Sequence, residues 1–100
     1  MKVNTQSVNF AADQKLLDFV QKRMDKLDLF YDKIIQSDVY LKVENTSSKE
    51  NKIFEARVRV PGDSFVVKKQ CKTFEEGADI AVSSLERQIK KRKQKLRAHI

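Results

Sequence analysis

The sequence predicts an α+β fold in the order β-α-β-β-β-α, a four-stranded sheet with two helices packed on one face. Three observations carry this. Two stretches, one opening at residues 11–13 and one at residue 73, place apolar side chains on a single face at helical period. Three stretches between them alternate apolar and polar residues with period two. The 100 residues contain no internal repeat, low-complexity segment or linker, so one domain is expected over 1–100.

Residues 2–6, Lys-Val-Asn-Thr-Gln, alternate weakly and form a short first strand. Asp13 is suited to cap the first helix, because its carboxylate can accept from the unpaired amides of the first turn. Along that helix Leu16, Val20, Met24 and Leu27 fall on one side, with Leu17 and Phe19 at its edges. The charges are sorted: Lys15, Lys22 and Lys26 share one flank, Asp18 and Asp25 the other. Arg23 lies near the apolar stripe and must reach out from its rim. The helix is expected to end between residues 29 and 32, where Phe30 and Tyr31 could stack on bases but fit better as plugs of the core.

Residues 35–44 form a strand in which Val39, Leu41 and Val43 alternate with Asp38, Tyr40, Lys42 and Glu44. Residues 45–51 are polar and turn-like. Residues 53–60 alternate cleanly, Phe54, Ala56, Val58 and Val60 against Glu55, Arg57 and Arg59. Pro61, Gly62 and Asp63 make a tight turn, and residues 64–72 return as the last strand. Clean alternation implies one buried and one wet face, the wet one showing Lys42, Arg57 and Arg59. The connection through helix 1 allows strand 1 to lie parallel to strand 2.

Thr73 and Glu76 have capping-box spacing. The helix they open, about 74–98, places Phe74, Ala78, Ala81, Val82, Leu85 and Ile89 on one face. Gly77 suits a close approach to the sheet. At Arg92 the same face meets a charge, so the helix is expected to overhang its sheet after Ile89 as a solvated basic rod.

Charge narrows the function. The net charge is +7, yet residues 1–86 carry 14 basic and 14 acidic side chains. The excess is Arg87, Lys90, Lys91, Arg92, Lys93, Lys95 and Arg97. Lysine and arginine in a last turn complement the helix dipole, but that accounts for two or three of them. Crowded like charges point to a polyanion, phosphate above all. A solvated face, a free double-stranded-RNA binder and a module docking its basic helix on an acidic protein stay open on charge alone.

No catalytic constellation is visible. Cys71 is the only cysteine, which excludes an internal disulfide, and it sits in a strand as a small apolar residue. His99, the only histidine, is at the chain end, so no metal site or other cofactor site is expected. Ser83 and Ser84 have no base beside them, and Gly62 and Gly77 do not form a phosphate loop. Residues 1–10 lack the features of a secretion signal and no apolar run nears the roughly 18 residues of a membrane span, so a cytoplasmic location is expected.

Three segments resemble the ribosome hibernation promoting factor family, also called ribosome-associated inhibitor A or protein Y. They are residues 20–32, Val-Gln-Lys-Arg-Met-Asp-Lys-Leu-Asp-Leu-Phe-Tyr-Asp; residues 39–44, Val-Tyr-Leu-Lys-Val-Glu; and residues 85–97, Leu-Glu-Arg-Gln-Ile-Lys-Lys-Arg-Lys-Gln-Lys-Leu-Arg. The similarity runs along essentially the whole chain in register. It implies a fold similar to the double-stranded-RNA-binding domain with an added first strand. It implies binding to the small ribosomal subunit and its RNA, in the channel for messenger and transfer RNA near the decoding region, and inhibition of translation in stationary phase or stress. The residues matching the family's basic positions are Arg23 and Lys26, Lys42, and Arg87, Lys91, Lys93, Lys95 and Arg97. Lys90 and Arg92 add charge that not every member has, and Lys22 joins them from the sorted flank.

The start of helix 2 departs from the family. Many members read Asp-Met-Tyr-Ala-Ala-Ile-Asp there; this chain has Thr-Phe-Glu-Glu-Gly-Ala-Asp over residues 73–79, keeping Asp79 but with Glu75 at the tyrosine position. The resemblance is nearest to the short promoting form of the family, so no ribosome-pairing domain is expected. That form implies a monomer when free, working with a separate ribosome modulation factor, and no membrane or small-molecule partner.

Overall fold

Period-two alternation in the sequence becomes a single four-stranded sheet. The structure, a computed structural model, describes residues 1–44 and 51–98, with side chains as far as Gln94. The strands are β1 (Lys2–Val8), β2 (Gln36–Val43), β3 (Lys52–Val60) and β4 (Asp63–Cys71), in spatial order β1-β2-β3-β4. The β1–β2 pair is parallel, joined through helix α1 (Gln14–Asp25); the other two pairs are antiparallel. Helix α2 (Phe74–Ala98) closes the order β-α-β-β-β-α.

Strand β1 runs two residues past the expected Gln6. Parallel pairing carries it to Val8 opposite Lys42, after which Asn9 turns the chain with φ 69°. Phe10 then stacks on Phe74 with ring centroids 5.0 Å apart, tying this turn to the first residue of α2. At the other end of β1 the Met1 ammonium pairs with Asp28 at 2.8 Å, and that carboxylate raises the ammonium's pKa above the ordinary 8.0.

Both helix starts follow the capping expected of them. Asp13 Oδ1 accepts from the Leu16 amide at 2.8 Å, and Thr73 Oγ1 from the Glu76 amide at 3.1 Å. Helix α1 tightens into a 3-10 segment over Lys26–Leu29 before the chain turns back to β2. Gly62 takes φ 79° in the β3–β4 turn.

The core lies between the sheet and the helical layer. From α1 and the 3-10 segment it takes Val20, Met24 and Leu27, and from α2 Phe74, Ala78, Ala81, Val82, Leu85 and Ile89, against Val39, Leu41, Phe54, Ala56, Val58 and Val60 of the sheet. Gly77 lets α2 settle on β3: a Cβ there would stand 2.8 Å from Phe54 Cβ. On β4, Val67 and Cys71 are buried on the helix side, Phe65 packs there, and Lys69, at the edge, is exposed.

Candidate nucleic-acid interface

The two helices lie side by side, and the seam between them gathers several of the expected site residues. Helix α1 turns its basic flank toward α2: Arg23 Nε pairs with Asp79 Oδ1 at 3.0 Å across the seam, and the guanidinium lies 4.8 Å from the centroid of the Phe19 ring. Lys22 and Lys26 stand exposed beside it, lining a shallow apolar notch with Phe19 and Arg23. The acidic flank of α1 faces away and is satisfied within the helix, Gln14 donating to Asp18 and Gln21 to Asp25, both at 2.8 Å.

At about 100° per residue, Lys90 and Lys93 fall on the flank of α2 that faces α1, and Arg87 and Lys91 on the side turned away from the sheet. Lys90 pairs with Glu86 at 3.0 Å and lies 5.1 Å from the centroid of the Phe30 ring. Arg87 and Lys91 are exposed, and among the described residues the side chains of Lys22, Lys26, Arg87 and Lys91 have no hydrogen bond or ion pair. Of the expected site residues with described side chains, these four can meet phosphate without first breaking an internal contact.

Two of the expected site residues serve the fold instead. Arg92 donates to the Tyr31 hydroxyl at 3.2 Å and to the Pro61 carbonyl at 2.8 Å, and pairs with Asp63 at 3.4 Å. Its side chain is 20% exposed. Lys93 Nζ donates to the Phe30 carbonyl at 2.8 Å, capping the end of the 3-10 segment. The expected solvated overhang from Ile89 onward is therefore corrected: α2 stays in contact with the body as far as Lys93. The cause is that Arg92 continues the core-facing row of α2 and finds three oxygen acceptors at its rim. Tyr31, which packs against the core, serves there as a hydrogen-bond partner as well.

Lys42 is not brought to the seam. It projects from the opposite face of the sheet, where it lies 4.0 Å from Glu55 and 6.0 Å from the centroid of the Tyr40 ring. Its alternation with Leu41 and Val43 is the signal for this, since those two point toward the helices. The side chains of Lys95 and Arg97 lie outside the described residues, although the backbone of α2 runs through both positions. No helix of the described residues is long and apolar enough to cross a membrane.

A sequence profile described as Sigma 54 modulation protein / S30EA ribosomal protein matches residues 3–97. The chain belongs to this family. A protein of Pseudomonas putida named ribosome hibernation promoting factor is 30% identical over 95 residues, covering 95% of this chain and 89% of that protein. A Klebsiella oxytoca protein of the same name is 30% identical over 99 residues, covering 99% of this chain and all of the relative. Among solved structures, one described as a ribosomal subunit interface protein from Coxiella burnetii superposes with a TM-score of 0.82, covering 94% of this chain and 99% of that one, at 19% identity. That likeness concerns the fold. The family named from the three sequence segments is thus the one the relatives carry in their names.

Proposed function

We propose that the protein is a ribosome hibernation factor. It binds the small ribosomal subunit in the channel used by messenger and transfer RNA near the decoding region, and inhibits translation by occupying that channel in stationary phase or stress. It acts in the cytoplasm and performs no chemistry. The observation that carries this reading is the cationic surface of the helical layer, with Lys22, Lys26, Arg87 and Lys91 unpaired among the described residues on two helices fixed to one core. The names of its relatives supply the ribosome as the partner.

The physics is occupancy. Each lysine or arginine that meets a phosphate releases condensed counterions, so affinity builds from several such contacts and falls steeply with salt. RNA of defined shape is selected by where its phosphates stand, without reading base edges. Arg87 can engage a phosphate with two parallel bonds, which lysine cannot.

Charge reversal at Lys91 and Lys95 tests the proposal. Lys91→Glu/Lys95→Glu is expected to abolish binding to isolated small subunits while the domain keeps its thermal transition, because Lys91 is exposed and supports no internal contact among the described residues. Binding by the folded variant at the unaltered level would sink the proposal.

A further inference from the structure

The face of the sheet turned away from the helices carries a second set of cations. On β3, Arg57 and Arg59 alternate with the buried Val58 and Val60, so both guanidiniums project from the open face, and both are exposed. Strand β3 lies between β2 and β4. Protection of a sheet edge, which accounts for Lys68 and Lys69 on β4, does not account for arginines on an interior strand.

The register sets their neighbours. Arg57 stands between Asp38 and Val66, Arg59 between Gln36 and Ser64. The carboxylates nearest them make other contacts. Asp38 Oδ1 accepts from Asn4 Nδ2 at 3.3 Å and from Gln36 Nε2 at 3.0 Å. Glu55 faces Lys42 at 4.0 Å, and Asp63 holds Arg92 at 3.4 Å. Among the described residues neither guanidinium has an ion pair or hydrogen bond. Two forked donors without a side-chain partner thus line a shallow depression together with Asp38, Asp63 and Ser64.

Residues two apart on a strand stand about 6.7 Å apart, a spacing close to that of successive phosphates on a nucleic-acid strand. A guanidinium meets a phosphate with two parallel bonds and is weakly hydrated. We propose that Arg57 and Arg59 form a second RNA-phosphate contact on the open sheet face, so that the domain is held by RNA from both sides. This inference rests on the ribosome-binding reading above. It adds a surface that the helices do not share.

Salt titrations of binding to isolated small subunits test it, using the unaltered protein, Arg57→Gln/Arg59→Gln and Arg87→Gln/Lys91→Gln. Each double variant is expected to lower the slope of log affinity against log salt by about 1.4 to 1.8, at 0.7 to 0.9 per phosphate contacted. If the Arg57/Arg59 variant keeps the full slope while the Arg87/Lys91 variant loses it, the open face is not a contact and the ribosome reading stands. If the unaltered protein itself fails to bind, both fall. A second measurement removes no more than one charge: Arg59→Cys carrying a short photoreactive label, irradiated in the complex. Nuclease-sensitive crosslinks to ribosomal RNA are expected; crosslinks to ribosomal protein alone overturn the inference.

Discussion

Replacing Arg92 by alanine separates two accounts of the basic run on α2. If Arg92 holds the fold, its removal frees the Tyr31 hydroxyl, the Pro61 carbonyl and the Asp63 carboxylate together. A net hydrogen bond is worth about 0.5–1.5 kcal/mol, more when one partner is charged. The Tyr31 bond is part-buried and falls near the top of that range, while the Pro61 bond is exposed and falls near the bottom. Asp63 is 51% exposed, so its pair with Arg92 is screened and adds roughly 0.5 kcal/mol. Against these stands roughly 1 kcal/mol of side-chain entropy recovered when the arginine is removed. The net destabilisation is about 1–2 kcal/mol. For a domain of this size that lowers Tm by roughly 5–10 °C. Thermal and denaturant unfolding of Arg92→Ala measure it, with Asp63→Asn as the partner that isolates the ion pair. The opposite result is an unchanged Tm together with a salt dependence of ribosome binding that is shallower by about one phosphate. It would show that Arg92 is an RNA anchor and that its three internal partners are incidental.

Two further outcomes follow from the packing and pairing of the fold. Gly77→Ala gains about 1 kcal/mol of helix propensity, but it drives a methyl against Phe54 at 2.8 Å, an overpacking that costs about 1–3 kcal/mol; net destabilisation in chemical denaturation is expected, and a gain would show that α2 and β3 can separate freely. The Met1 ammonium, its pKa raised above 8.0 by Asp28, lends stability that is fully present below pH 8 and lost as pH rises through the raised value; comparing unfolding across that window with Asp28→Asn should show the alkaline loss in the unaltered protein alone.

How far the sequence can be read depends on the range of the interactions involved. Local signals suffice for the caps at Asp13 and Thr73, the turn at Gly62 and the bounds of α2, because each rests on residues within one or two turns of chain. Strand β1 is legible only as far as Gln6. It is a polar edge strand whose last residues are held by pairing with β2 some 34 positions away, and its own alternation is weak. The hydrogen bonds of Arg92 span 61 and 31 positions to Tyr31 and Pro61, so no spacing rule reveals them. A trace is present all the same: a charge continuing an apolar row of a helix needs acceptors or an end to the packing, and the structure supplies the acceptors. Lys42 is the converse case. Its strand alternation already sets it opposite Leu41 and Val43, away from the helices, and only the family resemblance groups it with the helix cations. Arg57 and Arg59 are legible as wet-face residues, but the lack of a side-chain partner for either guanidinium among the described residues depends on three-dimensional register.

Sedimentation of the purified protein with isolated small ribosomal subunits, at low and high salt and with a structured messenger RNA as competitor, tests the central claim most directly. The account predicts comigration at low salt that falls steeply as salt rises and is lost to the messenger. No comigration at low salt, or comigration that neither salt nor messenger disturbs, would contradict it.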